Sequence, residues 1–496
     1  MGLEAWGYNR AVKYTFVAIA ALICNFASAA DNQLKKLNVA ALDRQGEPVA
    51  GLQSGDFQVF EDGKAQKIAF FRFTGDHPPP AGKPAPGEYS NRSGATLRGT
   101  VILIDLLNDR VMSGSIINEE ISRSLKNFES SAGLYLYILT ASGSLYPIHP
   151  LPKPGSEATP GGEPPQEPWT RNIAPLLQEA LKNVFSLRPV DEREVTTRFD
   201  LTMKALLEVG SQMRLLSGRT NLVWVTHGIP LYGLSIAEQG RVDFTNPLRK
   251  ICQALAQAQI VVYPVEQSLR GAAAAMGTES DQSLDEFSGI TGGRSYRSGG
   301  VGEAIQQAMT GSRANYQIAY YSGSVKQDGK HHKLRVTCAR KEAHLETQMG
   351  FYILAPLASP ADIERNAFEA ALASPFDASE IGLRARVAAD PSTKQNLRLE
   401  IRIDPADLLL RQEQDRRTGK VSLLFAAYGA AGLKQPGSTI PINIKLTAEQ
   451  YETAIRDGIE FHQAIHFDET VRKVRVVVVD GEVGSAGSVT IPIEGH

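Results

Sequence analysis

Acidic, amide, imidazole and phenol side chains follow two strongly apolar segments of this chain. Asp105, Asn108 and Asp109 come at the end of one apolar run, and His227 and Tyr232 come after another. Carboxylate and amide oxygens suit Mg²⁺, which prefers octahedral oxygen coordination, whereas imidazole suits Zn²⁺ and other transition metals. The same groups can also form hydrogen bonds to a protein partner. The residue types therefore leave two interpretations open, a cation site and a metal-free binding face.

Signatures of nucleophilic catalysis are missing from the sequence. It contains no G-x-S-x-G elbow and no S-x-x-K pair, which are common arrangements of a serine nucleophile. The pair Gly292-Gly293 lacks the Lys and Ser/Thr of a phosphate-binding P-loop and fits the end of a helix better. The pair His331-His332 is flanked by lysines near a turn, which favours a solvated hairpin tip over a pair of metal ligands.

Alternating strands and helices predict the scaffold that would position these residues. Over residues 99–312, short uninterrupted apolar runs alternate with amphipathic helical segments, which is typical of strands buried on both faces of a parallel sheet. We therefore expect an α/β fold with a doubly wound, mostly parallel, Rossmann-type sheet. Ligands of such sheets bind beyond the carboxyl ends of the strands, where Asn108, Asp109, His227 and Tyr232 would meet. The predicted strands are residues 100–105, 134–140, 221–226 and 260–265.

Strand patterns flank this unit on both sides. Residues 31–98 combine strand signals over 35–73, including an Asp62-Gly63 hairpin turn, with a Pro/Gly/Ser-rich linker over 75–98. Residues 313–357 carry strand signals that would pair with 35–73, so that the α/β unit is inserted into a small β-sandwich. A separate N-terminal hairpin is the alternative. Alternating apolar and charged residues within 358–496 predict a C-terminal β-sandwich-like, β-rich domain.

The composition and the N-terminus limit the class and compartment of the protein. The 496 residues carry a formal net charge of −2, which gives no reason to expect nucleic acid as a partner. Residues 1–30 combine basic residues, a short apolar run and small residues, the pattern of a cleaved signal peptide. An uncleaved anchor and a lipoprotein site at Cys24 are the alternatives. We expect export to the periplasm or the extracellular space, and no transmembrane segment after cleavage. Cys252 and Cys338 form either one disulfide or two buried thiols.

Six blocks of the sequence resemble a von Willebrand factor type A (VWFA)-related family common in acidobacteria. The blocks occur in the order expected for that family and span about residues 36–354. They are LDRQGEPVAGLQSGDFQVFEDGKAQKIAFF from Leu42, VILIDLLND from Val101, GRTNLVWVTHGIP from Gly218, IVVYPVE from Ile260, FSGITGGRSY from Phe287, and DGKHHKLRV from Asp328 together with MGFY from Met349. The resemblance implies a VWFA-like domain over 99–312 and a role in protein binding or adhesion.

The resemblance also implies a cation site in a degenerate form. VWFA domains often hold Mg²⁺ with a D-x-S-x-S motif, a later Thr and an Asp after the fourth strand. In this chain Asp105 keeps the first position, a leucine and Asp109 replace the serines, and His227 stands where the last Asp is expected. The Thr position falls near Thr202 or Asp200. A modified site of Asp105, Asp109, Thr202 and His227 would hold Mg²⁺ or Zn²⁺. We favour an edge that binds its partner without metal, because Asp and Asn are ordinary in turns.

These observations predict an adhesion-type binding protein that is secreted or associated with the cell envelope. Its partner would be a protein or a cell surface, no cofactor is expected, and catalysis is not expected. Two alternatives remain open at this point. One is a metal-dependent hydrolase acting at Asp105 and His227, and the other is a structural envelope protein that binds no metal.

Overall fold

The computed structural model describes most of the chain after the predicted signal peptide. The described residues are 33–75, 87–92, 99–108, 114–126, 128, 133–153, 169–184, 195–216, 218–235, 240–266, 277–297, 300–323, 327–354, 358–389, 396–430, 432–437, 439–466 and 470–493. Residues 1–30 and Asp109 therefore lie outside them. Among the described residues, no helix combines the length and the apolar character needed to cross a membrane.

The described residues form 25 β-strands and eight α-helices. The strands are β1 (Gln33–Leu42), β2 (Phe57–Glu61), β3 (Lys64–Gln66), β4 (Ile68–Phe73), β5 (Glu88–Ser90), β6 (Thr100–Asp105), β7 (Leu134–Leu139), β8 (Leu145–His149), β9 (Thr220–Thr226), β10 (Tyr232–Ser235), β11 (Gly240–Asp243), β12 (Ile260–Glu266), β13 (Asn315–Ser322), β14 (His331–Cys338), β15 (His344–Glu346), β16 (Gly350–Tyr352), β17 (Leu383–Ala389), β18 (Asn396–Ile403), β19 (Arg411–Glu413), β20 (Arg416–Gly429), β21 (Gly432–Pro436), β22 (Ile440–Thr447), β23 (Ile459–His466), β24 (Lys473–Asp480) and β25 (Ser485–Pro492). The helices are α1 (Gly114–Lys126), α2 (Ile173–Val184), α3 (Val195–Met213), α4 (Thr245–Gln257), α5 (Gly277–Thr291), α6 (Val301–Arg313), α7 (Pro360–Ala373) and α8 (Ala448–Asp457).

The strands before and after the central unit form a two-layered β-sandwich. One antiparallel sheet has the order β15-β1-β13-β4, and the other has the order β16-β14-β2-β3. Strand β1 pairs with β13 from Gln33 opposite Ser322 to Ala40 opposite Asn315. The inward-facing side chains of both sheets share one core, which includes Leu37, Val59, Tyr316, Leu334 and Phe351. Residues distant in sequence therefore build this sandwich, and the central unit leaves it after β4 and returns at β13.

A five-stranded sheet with the order β12-β9-β6-β7-β8 forms the central unit. Its first four strands run parallel, and β8 is an antiparallel edge strand. Helices α3, α4 and α5 pack on one face, and α1, α2 and α6 pack on the other. Both faces are thus removed from water, which explains why all six residues of β6 and of β7 are buried and their sequences lack a polar alternation.

The predicted fold class is wrong for this protein. A doubly wound, mostly parallel Rossmann-type sheet describes one sheet, whereas the chain is β-rich and its sheets are mostly antiparallel. Of the six sheets in the described residues, five contain antiparallel pairs alone, and the central sheet ends in antiparallel β8. Strand–helix alternation is confined to one part of the chain. Elsewhere hairpins and pairings between distant segments dominate, and hairpins necessarily produce antiparallel strands.

The C-terminal strands form a second β-sandwich. Its sheets have the orders β23-β18-β17-β5 and β19-β20-β24-β25, and β21 and β22 also pair with β20. Between them lies a core rich in Val, Leu and Ile, which includes Leu399, Leu423 and Val476. Strand β5 comes from the stretch that composition predicts as a linker, and its Ser90 lies opposite Arg384. Helix α7 covers an outer surface of this sandwich, where Phe368 packs with Val477.

Arg72 of β4 connects the two sandwiches. Its side chain is buried, and it donates hydrogen bonds to Gln317 Oε1 at 2.5 Å, to Ser485 Oγ at 3.2 Å and to the carbonyl oxygens of Glu380 and Asp407. Its guanidinium also lies 3.6 Å from the Glu380 carboxylate. A planar guanidinium with five N–H donors can serve several acceptors at once, so this one side chain joins β4 and β13 to the C-terminal sandwich.

Candidate functional site

Asp105 is the last residue of β6, and hydrogen bonds saturate its buried carboxylate. Oδ1 accepts the Asn108 backbone N–H at 3.0 Å. Oδ2 accepts Asn108 Nδ2 at 2.8 Å, the Thr226 hydroxyl at 2.8 Å and Trp224 Nε1 at 3.2 Å. Burial raises the pKa of Asp105, and the hydrogen bonds from Asn108, Thr226 and Trp224 oppose that rise. The carboxylate therefore ties the carboxyl end of β6 to that of its neighbour β9.

Asn108 extends this network to helix α3. Besides its bond to Asp105, Asn108 Nδ2 donates to Thr202 Oγ1 at 2.9 Å, and Thr202 donates in turn to the Arg198 carbonyl at 2.8 Å. The Arg198 guanidinium closes the ring by donating to Asn108 Oδ1 at 3.1 Å. Asn108 is 2% exposed and Thr202 is 0% exposed. The structure thus brings three of the predicted site residues, Asp105, Asn108 and Thr202, into one buried network.

This network is arranged to hold backbone elements together. Oδ2 of Asp105 already accepts three hydrogen bonds, so a cation bound to it would have to displace donors from Asn108, Thr226 or Trp224. Leu107, at the position of the first motif serine, is 6% exposed and packs in the hydrophobic core. Asp109, the remaining predicted oxygen ligand, lies outside the described residues. Within the described part of the chain, the geometry at Asp105 is that of a hydrogen-bonded structural carboxylate.

His227 and Tyr232 lie in the loop and hairpin that follow β9. His227 is half-buried, and the next N–H, that of Gly228, donates to Thr226 Oγ1 at 3.1 Å. Tyr232 opens the hairpin of β10 and β11, where the Arg241 guanidinium lies 4.4 Å from the centre of the Tyr232 ring. Cation–π pairs of this kind are attractive when the cation lies within about 6 Å of the ring centre.

The two faces of the hairpin differ in how closely they pack on the central unit. A Cβ atom added to Gly233 would come within 2.7 Å of Val195 Cγ1 and 3.1 Å of Phe244, so the Gly233 face packs closely on the central unit. Successive residues of a strand point to opposite faces. Tyr232 and Arg241 therefore lie on the opposite face from Gly233. Tyr232 is half-buried and packs against the hydrophobic core of the central unit, whereas Arg241 is exposed. The carboxyl edge of the sheet thus presents an ordered aromatic–cation pair.

Three residues of this edge are absent from the sequence prediction. Thr226 and Trp224 sit inside an apolar run, where their polar atoms give no periodic signal. Arg198 lies four residues before Thr202 on α3, a spacing that places both on one helix face. That spacing is the signal that would have found Arg198, whereas the Trp224 donor is visible only once β6 and β9 are paired.

A concave surface lies on the C-terminal sandwich. This cleft of 240 Å³ is lined by Arg92, Arg384, Arg402 and Arg456, together with residues of β18 and α8. Arg92 forms ion pairs with Asp404 at 2.9 Å and Asp407 at 2.5 Å, and Arg402 pairs with Glu460 at 3.3 Å. Neighbouring carboxylates therefore compensate part of the positive charge of the cleft. No sequence pattern predicts this cleft.

Comparisons with known proteins assign no family to the chain. No family model matches it, and no curated protein matches it. Among solved structures, the pilus adhesin SpaC from Lactobacillus rhamnosus GG matches with 9% identity and a TM-score of 0.27, covering 83% of this chain and 56% of the adhesin. A β-D-glucoside glucohydrolase from Trichoderma reesei matches with 9% identity and a TM-score of 0.14, covering 82% of this chain and 54% of the enzyme. The chain thus spans about half the length of either structure.

These findings contradict the predicted membership of a VWFA-related family. No family model supports it, and the described chain is β-rich with mostly antiparallel sheets. The quoted sequence blocks correspond to buried strands, such as β6 and β12, and to turns, such as Asp62-Gly63. Many unrelated folds require these residue types for the same physical reasons. The motifs therefore describe local structure and do not assign the chain to this family.

Proposed function

We propose that this chain is an exported, adhesion-type binding protein that recognises a protein on a cell surface. The recognition surface is the carboxyl edge of the central sheet, and specifically the face of the β10–β11 hairpin that carries Tyr232 and Arg241. The observation that carries this proposal is the Tyr232–Arg241 pair, held at 4.4 Å on a hairpin whose other face is packed against Val195 and Phe244. Tyr and Arg are the residue types, together with Trp, that most often dominate the binding energy of protein interfaces.

The rigidity of the edge beneath the hairpin supports this role. Asp105 fixes β6 to β9, and Asn108 fixes the following loop to Thr202 of α3. A surface that is ordered before binding loses less conformational entropy when the partner arrives. The same saturation of Asp105 argues against the hydrolase alternative, because a catalytic carboxylate needs an oxygen that is free to meet substrate, water or metal.

Binding of the purified chain to intact cells of the organism that makes it would test the proposal. The test variant is the double substitution Tyr232→Ala with Arg241→Ala. The matched control is Arg417→Ala with Tyr451→Ala, which removes another cation–π pair, at 4.0 Å, from the C-terminal sandwich. We expect the test variant to bind at least about thirtyfold more weakly, because losing even one hot-spot residue costs roughly 2 kcal/mol or more.

The control should bind like the wild type, and both variants should unfold at the wild-type temperature. Saturable wild-type binding that is lost in the test variant and kept in the control would support recognition at the hairpin. Equal affinities of the wild type and the test variant, or an equal loss in both variants, would overturn it.

A further inference from the structure

A second polar cluster lies at one end of the N-terminal sandwich, far from Asp105 in sequence. Glu61 ends β2 and lies opposite Leu334 of β14. Asp62 forms the turn to β3, and its φ of 49° together with Gly63 at 80° is the geometry of a tight hairpin. The turn is fixed to β14, because Asp62 N–H donates to the Lys333 carbonyl at 2.9 Å and Lys333 N–H donates to Asp62 Oδ1 at 2.8 Å.

His332 of β14 completes the cluster from the inward face of the sheet. Residues two apart in a strand share a face, so His332 lies on the side of the buried Leu334. Its side chain is 13% exposed and its ring stacks on Phe351, with ring centres 4.9 Å apart. Nδ1 of His332 is 3.0 Å from Asp62 Oδ2. The sequence predicts a solvated hairpin tip here. His331 is exposed as expected, whereas His332 is half-buried.

Two buried polar atoms at this place, Glu61 Oε2 and the Tyr320 hydroxyl, lack a hydrogen bond of normal geometry to the described residues and interact with each other. Glu61 is only 4% exposed, and its other oxygen accepts the Ser322 hydroxyl at 2.9 Å. Buried polar groups are nearly always hydrogen-bonded or bound to a ligand, and a buried carboxylate oxygen is especially costly to leave unpartnered. A cation at this point would give the buried Glu61 carboxylate a direct opposite charge, which the neutral Tyr320 hydroxyl does not supply.

We propose that Glu61, Asp62 and His332 bind a divalent transition-metal ion, for which Zn²⁺ is the best match. Their potential ligand atoms all lie within 4.8 Å of one another. Small side-chain adjustments would bring them to the roughly 2.0–2.2 Å bond lengths of a zinc ion. One imidazole with two carboxylates suits Zn²⁺ better than Mg²⁺, which prefers oxygen ligands alone. Asp328 Oδ1, 3.7 Å from His332 Nε2, is placed to orient the imidazole from outside the ligand set.

Lys35 offers the competing explanation for the buried Glu61. Its ammonium lies 2.9 Å from the centre of the Phe351 ring, on the same side of the sandwich. Burial lowers the pKa of Lys35 to about 7, and the Glu61 charge opposes that shift. The pair is farther apart than a salt bridge, since no nitrogen–oxygen contact within 4.0 Å joins them in the described residues. Lys35 therefore compensates the Glu61 charge only from a distance, and the group directly beside Glu61 is the neutral Tyr320 hydroxyl.

The bound ion would stabilise the fold by linking distant parts of the chain. Asp62 and His332 are separated by 270 residues, because the central unit is inserted between β4 and β13. A metal that bridges them would join the strand segments on both sides of that insertion, and metal binding to the native state alone stabilises it by mass action. This inference is independent of the proposed recognition role of Tyr232.

Thermal unfolding of the full chain, stripped with EDTA and then titrated with ZnCl₂ or MgCl₂, tests the inference. We expect Zn²⁺ to raise the unfolding temperature by about 5 °C at saturation, with one ion per chain by elemental analysis, and Mg²⁺ to have no effect. Asp62→Asn should abolish the shift and still fold, because Asn-Gly is the favoured sequence for this turn. His332→Gln should also abolish it, whereas His331→Gln, at the exposed neighbour, should keep it.

Visible absorption of the Co²⁺-loaded protein gives a second readout that does not depend on stability. The absorption of a protein-bound Co²⁺ ion should appear in the wild type and in His331→Gln, and it should be lost in Asp62→Asn and His332→Gln. Absence of a Zn²⁺ shift in the wild type would overturn the proposal, and so would a shift of equal size in Asp62→Asn. In that event Lys35→Met should destabilise the apo protein, as expected if the ammonium alone compensates Glu61.

Discussion

The Thr226 hydroxyl donates to Asp105 Oδ2 at 2.8 Å, and this contact joins the carboxyl ends of β9 and β6. The Asp105 carboxylate, which by its position in the sequence resembles a cation ligand, therefore serves to hold two strands together. Trp224, two residues earlier on β9, donates to the same oxygen at 3.2 Å and packs edge-on against Phe287 in the core. The edge of the central sheet is therefore ordered by hydrogen bonds that the protein itself supplies.

Asp105→Asn is predicted to destabilise the protein by about 2–3 kcal/mol, because an amide presents one acceptor oxygen and leaves buried donors unsatisfied. Urea unfolding followed by tryptophan fluorescence measures the change in the free energy of unfolding. The control is Asp200→Asn on the exposed surface of α3, which should stay within about 0.5 kcal/mol of the wild type. Equal stabilities of Asp105→Asn and the wild type would show that the network contributes nothing.

Arg72→Lys is predicted to loosen the junction between the two sandwiches. A lysine cannot serve Gln317, Ser485 and two carbonyls at once, and it leaves buried acceptors without donors, at a cost of about 3 kcal/mol. Calorimetry should then show a lower first transition or two separate transitions. Arg386→Lys, at the exposed ion pair with Glu400, should leave the transition unchanged. A single unchanged transition in Arg72→Lys would contradict the assignment of Arg72 as the connecting residue.

Stability should fall at mildly acidic pH through His149, whose ring stacks between Trp169 at 4.5 Å and Tyr135 at 6.0 Å. Burial lowers the pKa of His149 from its ordinary value of 6.5. Below that value the unfolded chain binds more protons than the folded one, so the free energy of unfolding decreases as pH falls.

His149→Phe keeps an aromatic ring and removes this proton uptake. The variant should therefore gain about 1–2 °C in unfolding temperature relative to the wild type on going from about pH 7.5 to about pH 5.5. The effect is small because the ring is partly exposed. A difference between the two proteins that does not vary with pH would exclude His149 as the source.

Cys252 and Cys338 are predicted to differ sharply in reactivity. Both are free thiols, of which Cys252 is buried and Cys338 is half-buried. Burial raises the pKa of Cys252 well above its usual range, and the thiolate is the reactive form. Alkylation of the native protein followed by peptide mapping should modify Cys338 first and Cys252 only after unfolding. Recovery of a peptide in which the two are disulfide-linked would contradict this arrangement.

Sequence patterns predicted the strands of the central sheet well but did not predict how the strands outside this sheet pair. Strands β6 and β12 begin at the predicted residues, because uninterrupted apolar runs are a strong signal where both faces are covered. The same signal led to the wrong fold class for the whole chain. It describes the central sheet only and does not indicate how the flanking strands pair. Strand β5 shows the limit, because three residues of a Pro/Gly/Ser-rich stretch become a strand only by pairing with β17.

The candidate site was predictable in position but not in chemistry. Asp105, Asn108 and Thr202 do meet at the carboxyl end of the sheet. Residue types alone could not show that Trp224 and Thr226 donate hydrogen bonds to the Asp105 carboxylate. Sequence patterns did not predict the cluster of Glu61, Asp62 and His332, because His332 is distant in sequence from the other two residues. Its members, Asp62 and His332, are brought together only by the pairing of β2 with β14, a long-range contact that local patterns do not encode.

Photocrosslinking from the β10–β11 hairpin is the most direct test of the claim that this hairpin contacts the partner. A photoreactive phenylalanine analogue would replace Tyr232 in one protein and Tyr451, the control position, in another, and each would be irradiated on intact cells. Recognition through the hairpin predicts one dominant crosslinked product from position 232, which excess unlabelled wild-type protein suppresses, and none from position 451. Binding that persists with equal crosslinking from both positions, or with none from position 232, would contradict it.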